Sequence, residues 1–188
     1  MYEHSKTHIV VDMLNDFISG SMACQNAENA MFHSINYINL HPNDNVIYVC
    51  DTHPHNHCSF SGYGGQWPPH CVVNTPGQEI HLSYYTRIND PNKRPHLMRI
   101  FRKGTSPLKE EYSGFNALRS DKTPLNKILP KQVIVSGVAT EYCIFETVKD
   151  LVEAEIEVQV LMEGLGYVNQ KDHRAAIENM KSLGVKFI

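Results

Sequence analysis

The sequence predicts an α/β fold of three layers, a central, mostly parallel sheet with helices on both faces. Short apolar runs rich in β-branched residues recur along the chain, and between them lie stretches whose apolar residues repeat at helical spacing. Strands buried on both faces have no polar side to show, which explains why these runs are near-continuous and do not alternate. Strands and helices taking turns in this way give a parallel sheet. A third observation marks where the pattern fails. Residues 52–95 lose periodicity and carry prolines at 54, 68, 69, 76, 91 and 95. The 188 residues are expected to form one domain over 1–188, with 52–95 as an insertion that holds a metal site and lid.

Each element has a local reason. Residues 9–14 form the first apolar run and predict a strand. Asn26 can cap a helix on which Met31, Ile35 and Ile38 share one face, and His41-Pro42-Asn43 ends it. Residues 46–50 predict a second strand running into Asp51. The 52–95 stretch is too rich in His, Cys and aromatics for disorder, so it is a functional elaboration. Residues 97–101 predict the next strand and 124–129 a short helix. The clearest buried strand is 132–138, after which Thr140 can cap a helix with Ile144, Val148, Leu151 and Val152 on one face. Residues 156–161 predict another strand. Asn169 can cap a last helix with Ala176, Met180 and Leu183 inward, and 185–188 closes the sheet.

Composition narrows the function without naming it. Seventeen basic residues against 20 acidic ones give no electrostatic reason to expect a nucleic-acid or membrane partner. No apolar run approaches the ~20 residues needed to span a bilayer. The run at 9–11 stops at Asp12, too short for a secretory segment. Five scattered cysteines with no CxxC pair predict a reduced, cytoplasmic chain.

Ligands of doubly wound sheets bind beyond the carboxyl ends of the strands. Asp12, Asp51, Lys103 and Cys143 all fall at or just past a predicted strand end. Asp51, His53, His55 and His57 lie within seven residues, and His70 follows in Trp67-Pro68-Pro69-His70. One carboxylate with several imidazoles suits zinc, iron or manganese. A His-rich surface loop is the plainer alternative. A structural zinc site is another, because Cys58 and Cys71 each follow a histidine. Cys143 falls in the first turn of the helix predicted after Thr140, where the helix dipole favours a thiolate. Asp12 could take its proton and Lys103 could supply a cation. Spacing alone leaves Cys143 as an inert small hydrophobe, Lys103 as a solvated charge and Asp12 as a strand-end cap.

Together these segments resemble the nicotinamidase/pyrazinamidase branch of the isochorismatase-like cysteine hydrolases. The matching pieces are 11–17 (VDMLNDF), 51–60 with 67–71 (WPPHC), 101–104 (FRKG), 112–115 (YSGF) and 137–143 (GVATEYC), in the family's order. The resemblance implies an isochorismatase-like sheet and an Asp12–Lys103–Cys143 catalytic triad. It implies one divalent metal, zinc first, with iron or manganese admitted, on Asp51, His53, His57 and His70, leaving His55 a bystander. A cis peptide would join Val138 to Ala139, and the N–H groups of Ala139 and Cys143 would form an oxyanion hole. Phe17, Trp67, Tyr112 and Val138 would line the substrate pocket. The implied reaction is hydrolysis of nicotinamide, and of pyrazinamide, through a cysteine thioester in NAD salvage, with the metal orienting the pyridine ring. No cofactor beyond the metal is implied, and a homo-oligomer is compatible with family habit. Leu14 and Glu141 depart from the family's more usual Gln and Asp. The rival readings are a metal-independent hydrolase of another small amide and a catalytically silent metal- or pyridine-binding module.

Overall fold

A computed structural model describes residues 6–188, so residues 1–5 of the expected domain lie outside the description. One six-stranded sheet runs through the molecule. Its strands are β1 (Thr7–Val11), β2 (Asn45–Asp51), β3 (Ile100–Lys103), β4 (Gln132–Gly137), β5 (Glu157–Leu165) and β6 (Lys186–Phe187), in spatial order β3-β2-β1-β4-β5-β6. Every pairing is parallel. β1 sits between β2 and β4, with Val11 level with Val49 on one side and Gly137 on the other. The strand order reverses between β1 and β4, which places a crevice at their carboxyl ends.

The pleat sends alternate residues of β1 to opposite faces. Val10 packs with Tyr48, Cys50 and the inward face of α2 (Ala27–Leu40), including Ala30, Ile35 and Ile38. The short helix α1 (Asn15–Ile18) closes the same core through Phe17 and Ile18. Ile9 and Val11 face the other way, toward Val148 and Leu151 of α4 (Phe145–Glu153) and Ile177 and Met180 of α5 (Gln170–Ser182). Both faces of the sheet are therefore dry, which accounts for the continuous apolar strands.

Under α2 the dry layer holds one polar chain. His8 Nε2 lies 2.8 Å from the Ser136 hydroxyl, which donates to Ser34 Oγ at 3.1 Å. Burial pushes the His8 imidazole down to about 3, helped by the nearby charges of His41 and Lys93.

Several local expectations shift. β1 ends at Val11 because Asp12 turns out of the strand at φ 53°. β3 starts three residues later than the apolar run suggested, drawn into register by Asp51 opposite Lys103. The predicted helix at 124–129 is a single 3-10 turn, Leu125–Lys127. Asn26 stands at the N-cap of α2 in a left-handed conformation, but its side chain donates to Leu165 O and caps nothing. Thr140 likewise caps no helix. Its hydroxyl donates to Gly166 O, and the chain passes through a π-type turn, Thr140–Ile144, before α4 begins. Asn169 does cap α5, accepting from the N–H groups of Lys171 and Asp172, whereas Leu183 points outward.

Between β2 and β3 the chain holds only 3-10 turns and the one-turn helix α3 (Ser83–Thr86), as its prolines dictate. It is pinned to the sheet end by backbone hydrogen bonds. His53 donates to Cys71 O at 2.9 Å, Val73 donates back to His53 O at 2.8 Å, and His81 donates to Met13 O at 3.0 Å. Among the described residues no helix is long and apolar enough to cross a membrane.

Candidate active site

Three strand ends bring three polar side chains together in the crevice. Asp12 follows β1, Lys103 ends β3, and Cys143 lies in the turn after β4. All three are buried. Lys103 Nζ is 2.9 Å from Asp12 Oδ2 and 3.3 Å from Cys143 Sγ, and it also donates to Asp51 Oδ1. The other Asp12 oxygen accepts the Asp51 backbone N–H at 2.8 Å, which fixes the carboxylate from the neighbouring strand. A lone buried carboxylate or ammonium is costly, and here each charge is compensated by the others.

The charges set the proton states. Burial and the negative charge of Asp51 push Asp12 up to about 6, against the pull of Lys103. Burial alone would neutralise Lys103, but the carboxylates of Asp12 and Asp51 hold it well above its ordinary value. Burial pushes the Cys143 thiol well up, and Asp12 and Asp51 add to this despite the Lys103 ammonium. The helix dipole expected to favour a thiolate here is thus opposed by a dry site with two carboxylates.

Beside this cluster, Asp51, His53 and His70 offer one ligand atom each within 4.8 Å of one another, all buried. Their hydrogen bonds decide which nitrogens are free, because a carbonyl can only accept. His53 Nδ1 donates to Gly104 O at 2.9 Å and His70 Nδ1 to Pro68 O at 2.7 Å, which leaves both Nε2 atoms with a lone pair. His53 Nε2 is buried, has no hydrogen-bond partner, and lies 3.4 Å from Asp51 Oδ2. A lone pair held against a carboxylate in a dry site fits a cation between them. Gly104, at φ 64°, makes room for this ring, since a Cβ there would meet His53 Cε1 at 2.4 Å. His57 is placed differently. Its ring stacks on His53 at 4.1 Å, its Nε2 donates to Lys109 O at 3.1 Å, and its Nδ1 accepts the Ser59 N–H at 3.3 Å. Both of its nitrogens are engaged, and it is not one of the three donors that lie within 4.8 Å of one another. His55 is exposed.

A narrow slot leads to Cys143. Phe17, Trp67 and Tyr112 line it, as expected, with Trp67 Nε1 donating to the Tyr112 hydroxyl at 3.1 Å. Val138 does not. It is fully buried in the core beneath α2, and Ala139 takes its place in the wall. The Val138–Ala139 peptide is cis. Met22, Glu110, Tyr142 and Val168 also line the slot. Tyr142 lies within the 137–143 motif and Glu110 just before the 112–115 motif, so both could have been found there. Met22 and Val168 carry no local signal, being ordinary apolar residues brought in from distant loops.

The sequence model of the isochorismatase domain matches residues 6–188. The chain belongs to this family. It is 31% identical to the nicotinamidase/pyrazinamidase of Mycobacterium tuberculosis over 96% of each chain. Its structure is similar to that of a Pyrococcus horikoshii pyrazinamidase in complex with zinc, at 35% identity and a TM-score of 0.84, covering 98% of this chain and 99% of the other. An L. infantum protein in complex with nicotinate matches at 28% identity and a TM-score of 0.79, covering 98% and 92%. Family membership accounts for the sheet order and for the hydrolytic class of the site.

Proposed function

We propose that this chain is a nicotinamidase, an amidohydrolase that converts nicotinamide to nicotinate and ammonia. The observation that carries the reading is one continuous arrangement: a buried thiol 3.3 Å from the Lys103 ammonium, at the base of an aromatic slot that also reaches Asp51 and His70. A flat heteroaromatic ring suits the slot, and its carboxamide would then face Cys143.

Asp12 takes the Cys143 thiol proton, and Lys103 stabilises the thiolate as it forms. The sulfur attacks the amide carbon. The N–H of Ala139, which donates to no described group, and that of Cys143 receive the oxyanion. Asp12 then passes its proton to the departing nitrogen, which leaves as ammonia, and Cys143 holds the acyl group as a thioester. Asp12 next deprotonates a water that attacks the thioester carbonyl. Nicotinate leaves and the thiol is restored.

Asp51, His53 and His70 would hold a divalent metal, for which the zinc-bearing neighbour makes zinc the first choice. When bound, such an ion supplies an electrophilic site for a ring nitrogen. Asp51 links the two clusters, since its Oδ1 accepts from Lys103 while its other oxygen faces His53.

The reading is tested by following nicotinate and ammonia from nicotinamide, together with hydroxylamine trapping and mass spectrometry of the protein. Stoichiometric ammonia release with an acyl adduct confined to Cys143 is expected. Hydrolysis without any Cys143 adduct would remove the thioester. No hydrolysis by reduced, zinc-replete protein would remove nicotinamide as the substrate.

A further inference from the structure

Glu141 stands two residues before Cys143, in the same π-type turn, yet its carboxylate points away from the sulfur and toward the loop between β5 and α5. Its Oε1 accepts two backbone N–H groups of that loop, from Val168 at 2.9 Å and from Asn169 at 2.6 Å. Val168 is a wall of the slot that leads to Cys143. Asn169 is the cap of α5. One side chain therefore ties the nucleophile's turn both to the opposite wall of the slot and to the start of a 13-residue helix.

We infer that Glu141 is a positioning residue that sets the width of the ring slot by holding Val168 in its wall, a role that rests on the amidase reading above. Three points support it. First, a charged acceptor shared by two N–H donors makes shorter and stronger bonds than a neutral contact. Second, the carboxylate lies at the positive end of α5, where negative charge is favoured. Third, Val168 packs only partly buried at the edge of the core, and few other hydrogen bonds hold its backbone. Its own carbonyl takes only the Gln25 side-chain amide at 3.1 Å, at an exposed position, while the backbone pair between Gln25 and Tyr167 holds the residue before it. The remaining Glu141 oxygen is buried and has no hydrogen-bond partner among the described residues, so the hold runs through Oε1. Glu141 touches no reacting atom in this account. It acts on substrate fit, and its signature is in KM and ring selectivity more than in the chemical step.

The experiment compares wild type with Glu141→Ala, Glu141→Gln and Val168→Ala. Amide hydrogen exchange is measured on the free proteins, and kcat and KM are measured for nicotinamide and for 5-methylnicotinamide. In Glu141→Ala, exchange at Val168 and Asn169 should quicken on the order of tenfold or more, as expected for loss of charge-assisted bonds. KM for nicotinamide should rise about tenfold with kcat held within about threefold, and the methylated ring should lose less than the parent. Glu141→Gln keeps an oxygen acceptor but loses the charge, and should fall between wild type and Glu141→Ala on every readout. Val168→Ala should reproduce the KM and selectivity changes, which keeps the test decisive should Glu141→Ala fold poorly. Unchanged exchange in Glu141→Ala, or an unchanged KM in Val168→Ala, overturns the proposal. A fall in kcat at constant KM would do the same. Wild type that never hydrolyses nicotinamide, with the exchange changes present, would overturn the substrate reading and leave the tether standing.

Discussion

Asp12, Lys103 and Cys143 reach the site from the ends of three strands in the buried centre of the sheet, whereas His53, His70 and Trp67 reach it from a proline-rich segment with no strand or long helix of its own. The first group is located by register, since neighbouring strands leave their ends at fixed spacing. The second is located by individual backbone bonds, such as those between His53 and residues 71 and 73, and by carbonyls that orient each imidazole. Asp51 belongs to both, ending β2 while facing Lys103 on one side and His53 on the other. The comparison teaches a division of labour. On the proposed mechanism, the groups that would exchange a proton stand at the ends of buried strands, and most of those that would hold a metal or ring stand on a segment that sequence change can reshape.

The largest effect should come from the strand-end group. Cys143→Ala is expected to abolish nicotinamide turnover, by at least about a thousandfold, while zinc content measured by atomic absorption stays at the wild-type level. Loss of zinc in that variant would mean that the two groups are not separable. His53→Ala should do the reverse, lowering zinc affinity on the order of 100-fold while an uncharged thiol reagent still reaches Cys143. If the metal content of His53→Ala is unchanged, the three-donor assignment fails. His57→Ala sharpens the same contrast. It should weaken zinc binding by about tenfold, as expected for a support of His53 and not for a ligand. An effect equal to that of His53→Ala would restore His57 to the ligand set.

Acid stability tests the sheet itself. His8 is buried neutral, with its folded value near 3 against an ordinary 6.5. Between those two pH values the unfolded chain takes up a proton that the native chain refuses. Stability therefore rises with pH across this window and is lost as pH falls from 6.5 toward 3. The full extent is of order 5 kcal/mol, at about 1.4 kcal/mol for each pH unit. His8→Gln should flatten this window in urea unfolding measured from pH 7 to pH 4, and an unchanged slope would assign acid unfolding to other groups. The smallest effect is expected at the slot mouth. Tyr112→Phe removes the bond from Trp67 Nε1 and should lower kcat/KM by about five- to tenfold, near 1 kcal/mol.

The division also explains what the sequence made legible. Unbroken apolar runs at β1, β2 and β4 made the parallel sheet legible. Positions at or past predicted strand ends drew attention to Asp12, Asp51, Lys103 and Cys143, while the triad roles of Asp12, Lys103 and Cys143 came only from the family resemblance. The bounds of β3 were less legible, because it has only four residues and starts later than its apolar run. The electrostatic surroundings of Cys143 were not legible, since they include two carboxylates drawn from other strands. The hydrogen bonds of His57 were not legible either, because spacing does not say which nitrogen meets a carbonyl. Val168 and Met22 were invisible for a related reason: apolar residues become slot walls only through the loops that bring them there.

The central claim is that one slot unites a cysteine nucleophile with a metal-holding triad of side chains. Its most direct test is ammonia release from nicotinamide by reduced protein, assayed as purified, after exhaustive chelation and after zinc add-back, with circular dichroism on each sample. The account predicts that chelation removes most of the activity, that zinc restores it, and that the spectrum does not change. Full activity in protein shown to be free of metal would contradict it.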